Sequence, residues 1–133
     1  MIRLMAFSAC LAVLVLAPSG AFARSYYGAL VFSQDTRTEA YSYDNPSRAA
    51  AENAALQKCR AQGGGCVVVT WFRNACAALA TTPEGAYGAG WSTSRSGAEK
   101  KALAICGQHG GGQCRSLGVY VAVTKRWPRS RSV

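Results

Sequence analysis

Cysteine and histidine are the residues of this chain whose types and spacing could support redox, nucleophilic or metal chemistry. The chain has six cysteines and one histidine among 133 residues. Four cysteines form two similar pairs, Cys59 with Cys66 and Cys106 with Cys114, and a glycine-rich stretch separates the members of each pair. A glycine turn can bring the end of a helix and the start of a strand within disulfide range. The spacing therefore predicts two local disulfides, Cys59–Cys66 and Cys106–Cys114.

The same intervals argue against a metal site. The residues between the paired cysteines number six and seven, whereas zinc ligands on one hairpin are usually separated by about two to four residues. The single histidine, His109, adds little to such a site. We therefore expect no bound metal and no cofactor.

Of the two remaining cysteines, Cys10 lies in the N-terminal segment that is predicted below to be a signal peptide. Cys76 is therefore left without a partner, and its role has two interpretations. An unpaired thiol in an exported protein can be reactive or can join a second chain. Alternatively, Cys76 is a small buried apolar residue in the run Ala75–Leu79, where a free cysteine is usually inert. A catalytic pair with His109 would require the two side chains to approach within about 3–4 Å. We favour the inert interpretation, and a binding function over an enzymatic one.

The first 23 residues have the features of a signal peptide. Arg3 precedes an apolar stretch, 4–16, that is short for a membrane span, and Ala21-Phe22-Ala23 fits the small-x-small rule for cleavage. We predict cleavage after Ala23 and export to the periplasm or the medium of a bacterium, where disulfides persist. No segment of the mature chain is predicted to span a membrane.

A sequence repeat defines the architecture. The pattern A-E-x-x-A-L-x-x-C occurs at 51–59 and again at 98–106, and each copy leads to three glycines and a second cysteine. Such repetition indicates two copies of one structural unit. We predict one α+β domain over 24–124 with pseudo-two-fold character, made of two ββαβ repeats (about 26–73 and 74–123) whose two helices pack on a mostly antiparallel sheet.

The predicted elements follow the apolar patterns of the chain. The repeated helices carry stripes of small residues at intervals of four, which would let them pack closely on a sheet; the stripes are Ala51, Ala55 and Cys59, and Ala98, Ala102 and Cys106. Asn45 or Ser47 is predicted to cap the first helix, and the segment from Ser96 to Glu99 is a capping-box pattern that predicts Ser96 as the cap of the second. The predicted strands are 26–33, 40–43, 66–72, 76–81, 86–92 and 114–123, and the helices end near 61 and 108.

Charge and aromatic residues indicate possible binding surfaces. Without the first 23 residues the chain has 14 basic and 6 acidic side chains, a net charge of +8, which favours anionic partners. Export argues against nucleic acid. A basic tail, 125–133, could bind anionic surfaces, or it could serve solubility alone; its candidate residues are Lys125, Arg126, Trp127, Arg129 and Arg131. Strand aromatics could line a binding face, or belong to the core and to cross-strand pairs; these are Tyr41, Tyr43, Trp71, Tyr87 and Trp91.

Several of these motifs together resemble the secreted bacterial family known as domain of unknown function 4189. The resemblance rests on Tyr27-Gly28-Ala29, the repeated helix pattern, the strand 66–69, the run 74–80 and Tyr87-Gly88. It implies export and the fold predicted above, and it supplies no catalytic residues. Members of the family often carry a further cysteine near the C-terminus, whereas 116–133 contains none here.

Three functions remain open at this point. We expect a non-catalytic exported module that binds another macromolecule, most simply a protein, in the manner of an inhibitor or immunity protein. The first alternative is a cationic protein whose tail binds anionic polymers of the cell envelope. The second is a thiol-dependent activity at Cys76. The sequence does not predict the oligomeric state.

Overall fold

Two successive ββαβ units form the fold in the computed structural model, which describes residues 25–110 and 112–122. The first unit contains β1 (Tyr27–Ser33), β2 (Glu39–Asn45), α1 (Arg48–Arg60) and β3 (Cys66–Arg73). The second contains β4 (Ala75–Thr81), β5 (Tyr87–Ser92), α2 (Arg95–Gly110) and β6 (Arg115–Ala122). The predicted signal peptide and basic tail lie outside the described residues.

Each unit forms its own antiparallel sheet. The strand orders are β2-β1-β3 and β5-β4-β6, so equivalent strands take equivalent places. The α+β class and the two ββαβ repeats are therefore confirmed. The expected single sheet is instead two three-stranded sheets. The reason lies in the central strands β1 and β4, which are buried on both faces. Each sheet therefore packs against a helix on one face and against the other sheet on its second face.

The layers of the domain follow from three apolar clusters. The central cluster combines side chains of both sheets, so the sheets pack face to face; it includes Leu30, Phe32, Phe72, Ala77 and Leu79. A second cluster lies between α1 and the first sheet, and a third lies between α2 and the second sheet. The order of layers is thus helix, sheet, sheet, helix.

The helices contact their sheets through the predicted small residues. All six residues of the two stripes are fully buried: Ala51, Ala55, Cys59, Ala98, Ala102 and Cys106. Packing is closest between α2 and β5, where a Cβ atom on Gly88 would overlap the backbone nitrogen of Cys106. A larger side chain on either partner would push the helix away from the sheet.

Serine residues cap both helices at equivalent positions. The Oγ of Ser47 accepts a hydrogen bond from the Ala50 amide at 3.1 Å, and the Oγ of Ser94 accepts one from the Gly97 amide at 3.1 Å. Each cap satisfies an amide that has no partner within the helix. The first cap agrees with the prediction, whereas the cap of α2 is Ser94, two residues before the predicted Ser96.

The third strands of the two units carry matching bulges. Leu30 and Val31 of β1 pair with Thr70 and Val68, which leaves Val69 as the extra residue of β3. In the same way Leu117 is the extra residue of β6, because Leu79 and Ala80 pair with Gly118 and Ser116. A bulge reverses the inward and outward alternation of the residues that follow it. In β3 this reversal leaves Phe72 buried and its neighbour Trp71 exposed.

Both predicted disulfides are confirmed. Cys59–Cys66 and Cys106–Cys114 join each helix to the strand that follows it, with Cα–Cα distances of 6.1 and 6.0 Å. Among the described residues, no helix is long and apolar enough to cross a membrane.

Candidate functional site

Cys76 lies in the core between β4 and α2. Its side chain is fully buried and belongs to the cluster that contains Ala98, Ala102 and Cys106. Burial raises the pKa of the Cys76 thiol above its ordinary value, and the positive charge of Arg95 offsets part of that rise. Cys76 forms no disulfide with any described residue, and Val121 of β6 lies opposite it in the sheet. A buried thiol of raised pKa is a poor nucleophile at neutral pH.

The fold does not bring Cys76 and His109 together. Cys76 pairs with Ser92 at one end of β4, whereas His109 lies beside Thr82, just beyond the other end of that strand. Six residues of extended strand separate the two ends by about 20 Å. A catalytic pair between the thiol and the imidazole is therefore excluded in this fold.

A wide, open cleft of the described surface surrounds His109. It has a volume of about 900 Å³ and also includes Glu84, Tyr87 and Gln34. The side-chain amide of Gln34 has a partner within the fold, since its Nε2 donates a hydrogen bond to the Gly85 carbonyl at 2.9 Å. Within 25–110 and 112–122, no group of three or more histidine, cysteine, aspartate or glutamate residues could hold a metal ion.

A smaller cleft is lined chiefly by aromatic residues. Its volume is about 330 Å³, and it lies where β3 of the first sheet meets β5 of the second; its lining is Tyr27, Trp71, Phe72, Arg73 and Trp91. Trp71 is 38% exposed and Trp91 is 50% exposed. Two half-exposed tryptophans in one cleft form an apolar surface that the core does not use. We call these five residues the aromatic cleft.

Neighbouring strands fix the rings of the aromatic cleft. Tyr27 of β1 stacks with Trp71 of β3, with ring centroids 6.3 Å apart. Phe72 packs inward against Gly28, where even a Cβ atom would overlap its ring. The Asn74 carboxamide oxygen accepts a hydrogen bond from the Tyr26 amide at 2.9 Å, and the Asn74 amide donates to the Tyr26 carbonyl at 2.9 Å. These contacts hold the start of β1 beside the end of β3.

Each exposed ring of the aromatic cleft has a cation beside it. The Arg48 guanidinium lies 4.8 Å from the centroid of Trp71, and the Arg73 guanidinium lies 5.9 Å from that of Tyr27. The Lys101 ammonium lies 5.3 Å from the centroid of Trp91 and donates to the Trp91 carbonyl at 3.0 Å. Three positive charges therefore surround the apolar surface.

Few of these charges are neutralised within the fold. Arg48 pairs with Glu52 through a 2.6 Å contact, the only ion pair within the described residues. Lys101 uses one donor for the Trp91 carbonyl, and an ammonium has three. The Arg73 guanidinium has no hydrogen bond or ion pair to any described residue. Among the described residues, Arg73 is thus the cation of the aromatic cleft that has no hydrogen-bond or ionic partner.

A second aromatic group occupies the opposite edge of the sandwich. Tyr41 of β2 contacts Tyr120 of β6, with ring centroids 4.2 Å apart. Burial raises the pKa of Tyr120 well above its usual range, and the negative charge of Glu39 and the proximity of Tyr41 add to that rise. The Lys58 ammonium donates to the Tyr41 carbonyl at 2.9 Å. The Glu39 carboxylate beside the partly buried Tyr120 makes this edge less basic than the aromatic cleft.

The predicted aromatic candidates therefore divide among three places. Trp71 and Trp91 share the aromatic cleft, Tyr41 and Tyr43 lie at the opposite edge, and Tyr87 packs against Phe32 with ring centroids 5.2 Å apart. Sequence reasoning did not find Tyr27 or the three cations, Arg48, Arg73 and Lys101. Nothing in their local pattern separates them from ordinary surface residues. The tail candidates Lys125, Arg126, Trp127, Arg129 and Arg131 lie outside the described residues.

Comparison with known proteins supports the resemblance drawn from the motifs. No curated protein and no solved structure matches the chain. The family described as Domain of unknown function (DUF4189) matches residues 27–120, a span from the first residue of β1 nearly to the end of β6. With both repeats inside that match, the chain belongs to the DUF4189 family.

Proposed function

We propose that the protein is a non-catalytic binding module that acts outside the cytoplasm and holds a partner protein through the aromatic cleft. The observation that carries the proposal is the placement of Trp71, Trp91 and Tyr27 in one cleft with Arg73. Tryptophan, tyrosine and arginine are the residues that most often dominate the energy of protein–protein interfaces.

The dimensions of the cleft also favour a macromolecule. A volume of about 330 Å³ is at the low end for a site that encloses a small molecule. The space suits one or two anchoring side chains of a larger partner, whose remaining surface would cover the surrounding cations. The two disulfides are compatible with an oxidising compartment, and export through the predicted signal peptide is part of the proposal.

A pull-down with matched variants tests this function. The chain from Arg24 to Val133 would be immobilised and exposed to envelope and secreted fractions of its host. We expect a stoichiometric protein that is retained at high salt and lost when Trp71 and Trp91 are both replaced by alanine. Leu117→Ala is the control, because Leu117 is 43% exposed and lies outside the aromatic cleft. Equal retention by all three proteins would refute the proposal.

The same experiment separates the proposal from binding by the basic tail. Material that elutes at moderate salt and requires 125–133 would assign the interaction to exposed charge, because salt screens such contacts. The described residues carry nine basic and six acidic side chains. Most of the excess positive charge of the predicted mature chain therefore lies outside the described residues, and deletion of 125–133 measures the contribution of the tail directly.

A further inference from the structure

We infer that the occupant of the aromatic cleft is an acidic segment of the partner protein, with carboxylates next to an apolar or aromatic side chain. This inference rests on the proposed function and adds the chemistry of the partner. It is carried by the three cations around the aromatic cleft and by the shortage, among the described residues, of carboxylates that neutralise them.

The arrangement of charges favours carboxylates. Arg73 has no anionic partner among the described residues, and Glu52 is already paired with Arg48. Each cation lies between 4.8 and 5.9 Å from the centroid of an aromatic ring. A side chain that packs against one of these rings would thus bring its sequence neighbours within reach of a cation. Arginine also binds carboxylates through two parallel hydrogen bonds, which fixes their orientation.

Charge argues against two other occupants. The tail of this chain, 125–133, carries four basic residues and no acidic one, so Arg73 and Lys101 would repel it. A second copy that placed its own aromatic cleft against this one would bring like charges together, since a two-fold interface pairs the same surface with itself. Like charges across an interface reduce binding.

A defined polymer tests the inference without prior identification of the partner. The probe is a random copolymer of glutamate and tyrosine, which offers carboxylates beside aromatic rings; polygalacturonate offers carboxylates on a sugar chain. Binding to the whole chain from Arg24 to Val133 would be measured by fluorescence anisotropy of the labelled polymers. We expect the copolymer to bind more tightly than polygalacturonate.

Charge variants then locate the contact. Arg73→Glu is expected to weaken copolymer binding at least about tenfold, because it replaces an attraction by a repulsion. Arg73→Lys keeps the charge but loses the two parallel hydrogen bonds, so it is expected to weaken binding by less than Arg73→Glu does. Arg60→Glu is the matched control, since Arg60 is an exposed arginine at the end of α1. It changes the net charge equally and is expected to weaken binding less than about twofold.

Three results would overturn the inference: no binding of the copolymer, equal losses for Arg73→Glu and Arg60→Glu, or tighter binding of polygalacturonate. Circular dichroism of each variant would confirm that it is folded. A captured partner that is lost with the tryptophan variant but retained by Arg73→Glu would leave the proposed function intact and refute the acidic segment. The two proposals can therefore fail separately.

Discussion

Lys101 of α2 caps the exposed edge of β5 by donating a hydrogen bond to the backbone carbonyl of Trp91 at 3.0 Å. Lys58 of α1 makes the same contact with the carbonyl of Tyr41 on β2 at 2.9 Å. Unpaired carbonyls at a sheet edge invite pairing with another chain, and lysine is a common means of preventing it. In each unit a helix therefore supplies a lysine that protects the edge strand.

Replacing Lys101 with methionine tests this role, because methionine keeps most of the apolar length and removes the ammonium. We expect a loss of about 0.5–1.5 kcal/mol in the free energy of unfolding from the hydrogen bond. The emission of Trp91 should also change, as its ring loses the adjacent cation. Urea denaturation and tryptophan fluorescence measure both effects. Lys100→Met is the control on the exposed side of α2, and an equal effect of this variant would contradict the assignment.

Gly88 and Gly107 allow a sharper test of how α2 packs. An added Cβ at Gly88 would overlap the α2 backbone, whereas one at Gly107 would meet no atom within 4 Å. We expect Gly88→Ala to destabilise the fold by about 1–3 kcal/mol through overpacking. Gly107→Ala should stabilise it by up to about 1 kcal/mol, because alanine is the better helix former. Thermal unfolding of the two variants should therefore shift in opposite directions, and a shared direction would refute the packing described.

Local patterns were sufficient to predict the elements and the disulfides. The stripes that include Ala51 and Ala98 have helical spacing, and glycines after each helix bring the paired cysteines together. The observed helix 48–60 and strands such as 66–73 and 75–81 differ from the predicted ranges by one or two residues. The exact ends of helices and strands depend on individual capping contacts, such as the one that Ser94 makes at the start of α2.

The division into two sheets was not predictable from these patterns. The run 75–81 is apolar throughout, which indicates a strand covered on both faces. A continuous apolar strand does not reveal whether a helix or another sheet provides each cover. That choice depends on contacts between residues far apart in the sequence, such as Leu30 and Leu79 of the central cluster.

The aromatic cleft was only half predictable for the same reason. Trp71 and Trp91 were candidates because they are large aromatics on strands. Arg48 and Lys101 lie on different helices, 23 and 10 residues from the rings that they contact. Their relevance follows from the packing of each helix on its sheet and from the bulge at Val69, which turns Trp71 outward.

The two disulfides are expected to contribute similar stability. Cys59 and Cys66 are 7 residues apart, and Cys106 and Cys114 are 8 residues apart. For loops of this size the chain-entropy model gives about 2–3 kcal/mol each. Replacing either pair with alanine should lower the free energy of unfolding by that amount, as measured by urea denaturation. A much larger loss for one pair would show that its cysteines contribute packing beyond the crosslink.

Cys76 is expected to resist alkylation in the native protein, because its side chain is fully buried and the pKa of its thiol is raised. Iodoacetamide labelling followed by mass spectrometry should be slow in buffer and fast in denaturant. Cys76→Ala should cost no more than about 1–1.5 kcal/mol, because it removes a single buried sulfur atom. Rapid labelling in buffer would contradict this placement and revive a thiol-dependent function.

Alkaline pH should destabilise the fold through the buried thiol of Cys76 and the partly buried phenol of Tyr120. Folding raises the pKa of Cys76 above its ordinary value of 9.0 and that of Tyr120 above its ordinary value of 10.0. In both cases the unfolded chain loses its proton first. The contribution of these two groups to the free energy of unfolding is therefore fully present below pH 9.0. It declines as pH rises further, with a slope of at most about 1.4 kcal/mol per pH unit for each group.

Two substitutions separate these contributions. Cys76→Ala should remove the decline that begins near pH 9.0, and Tyr120→Phe should remove the one that begins near pH 10.0. Urea denaturation between pH 7 and about pH 11 measures both, because the slope of stability with pH reports the difference in bound protons. Tyr43→Phe is the control, since Tyr43 is 53% exposed, and it should leave the pH profile unchanged. A profile for Tyr120→Phe that matched this control would show that the Tyr120 hydroxyl is not held away from solvent beside Glu39.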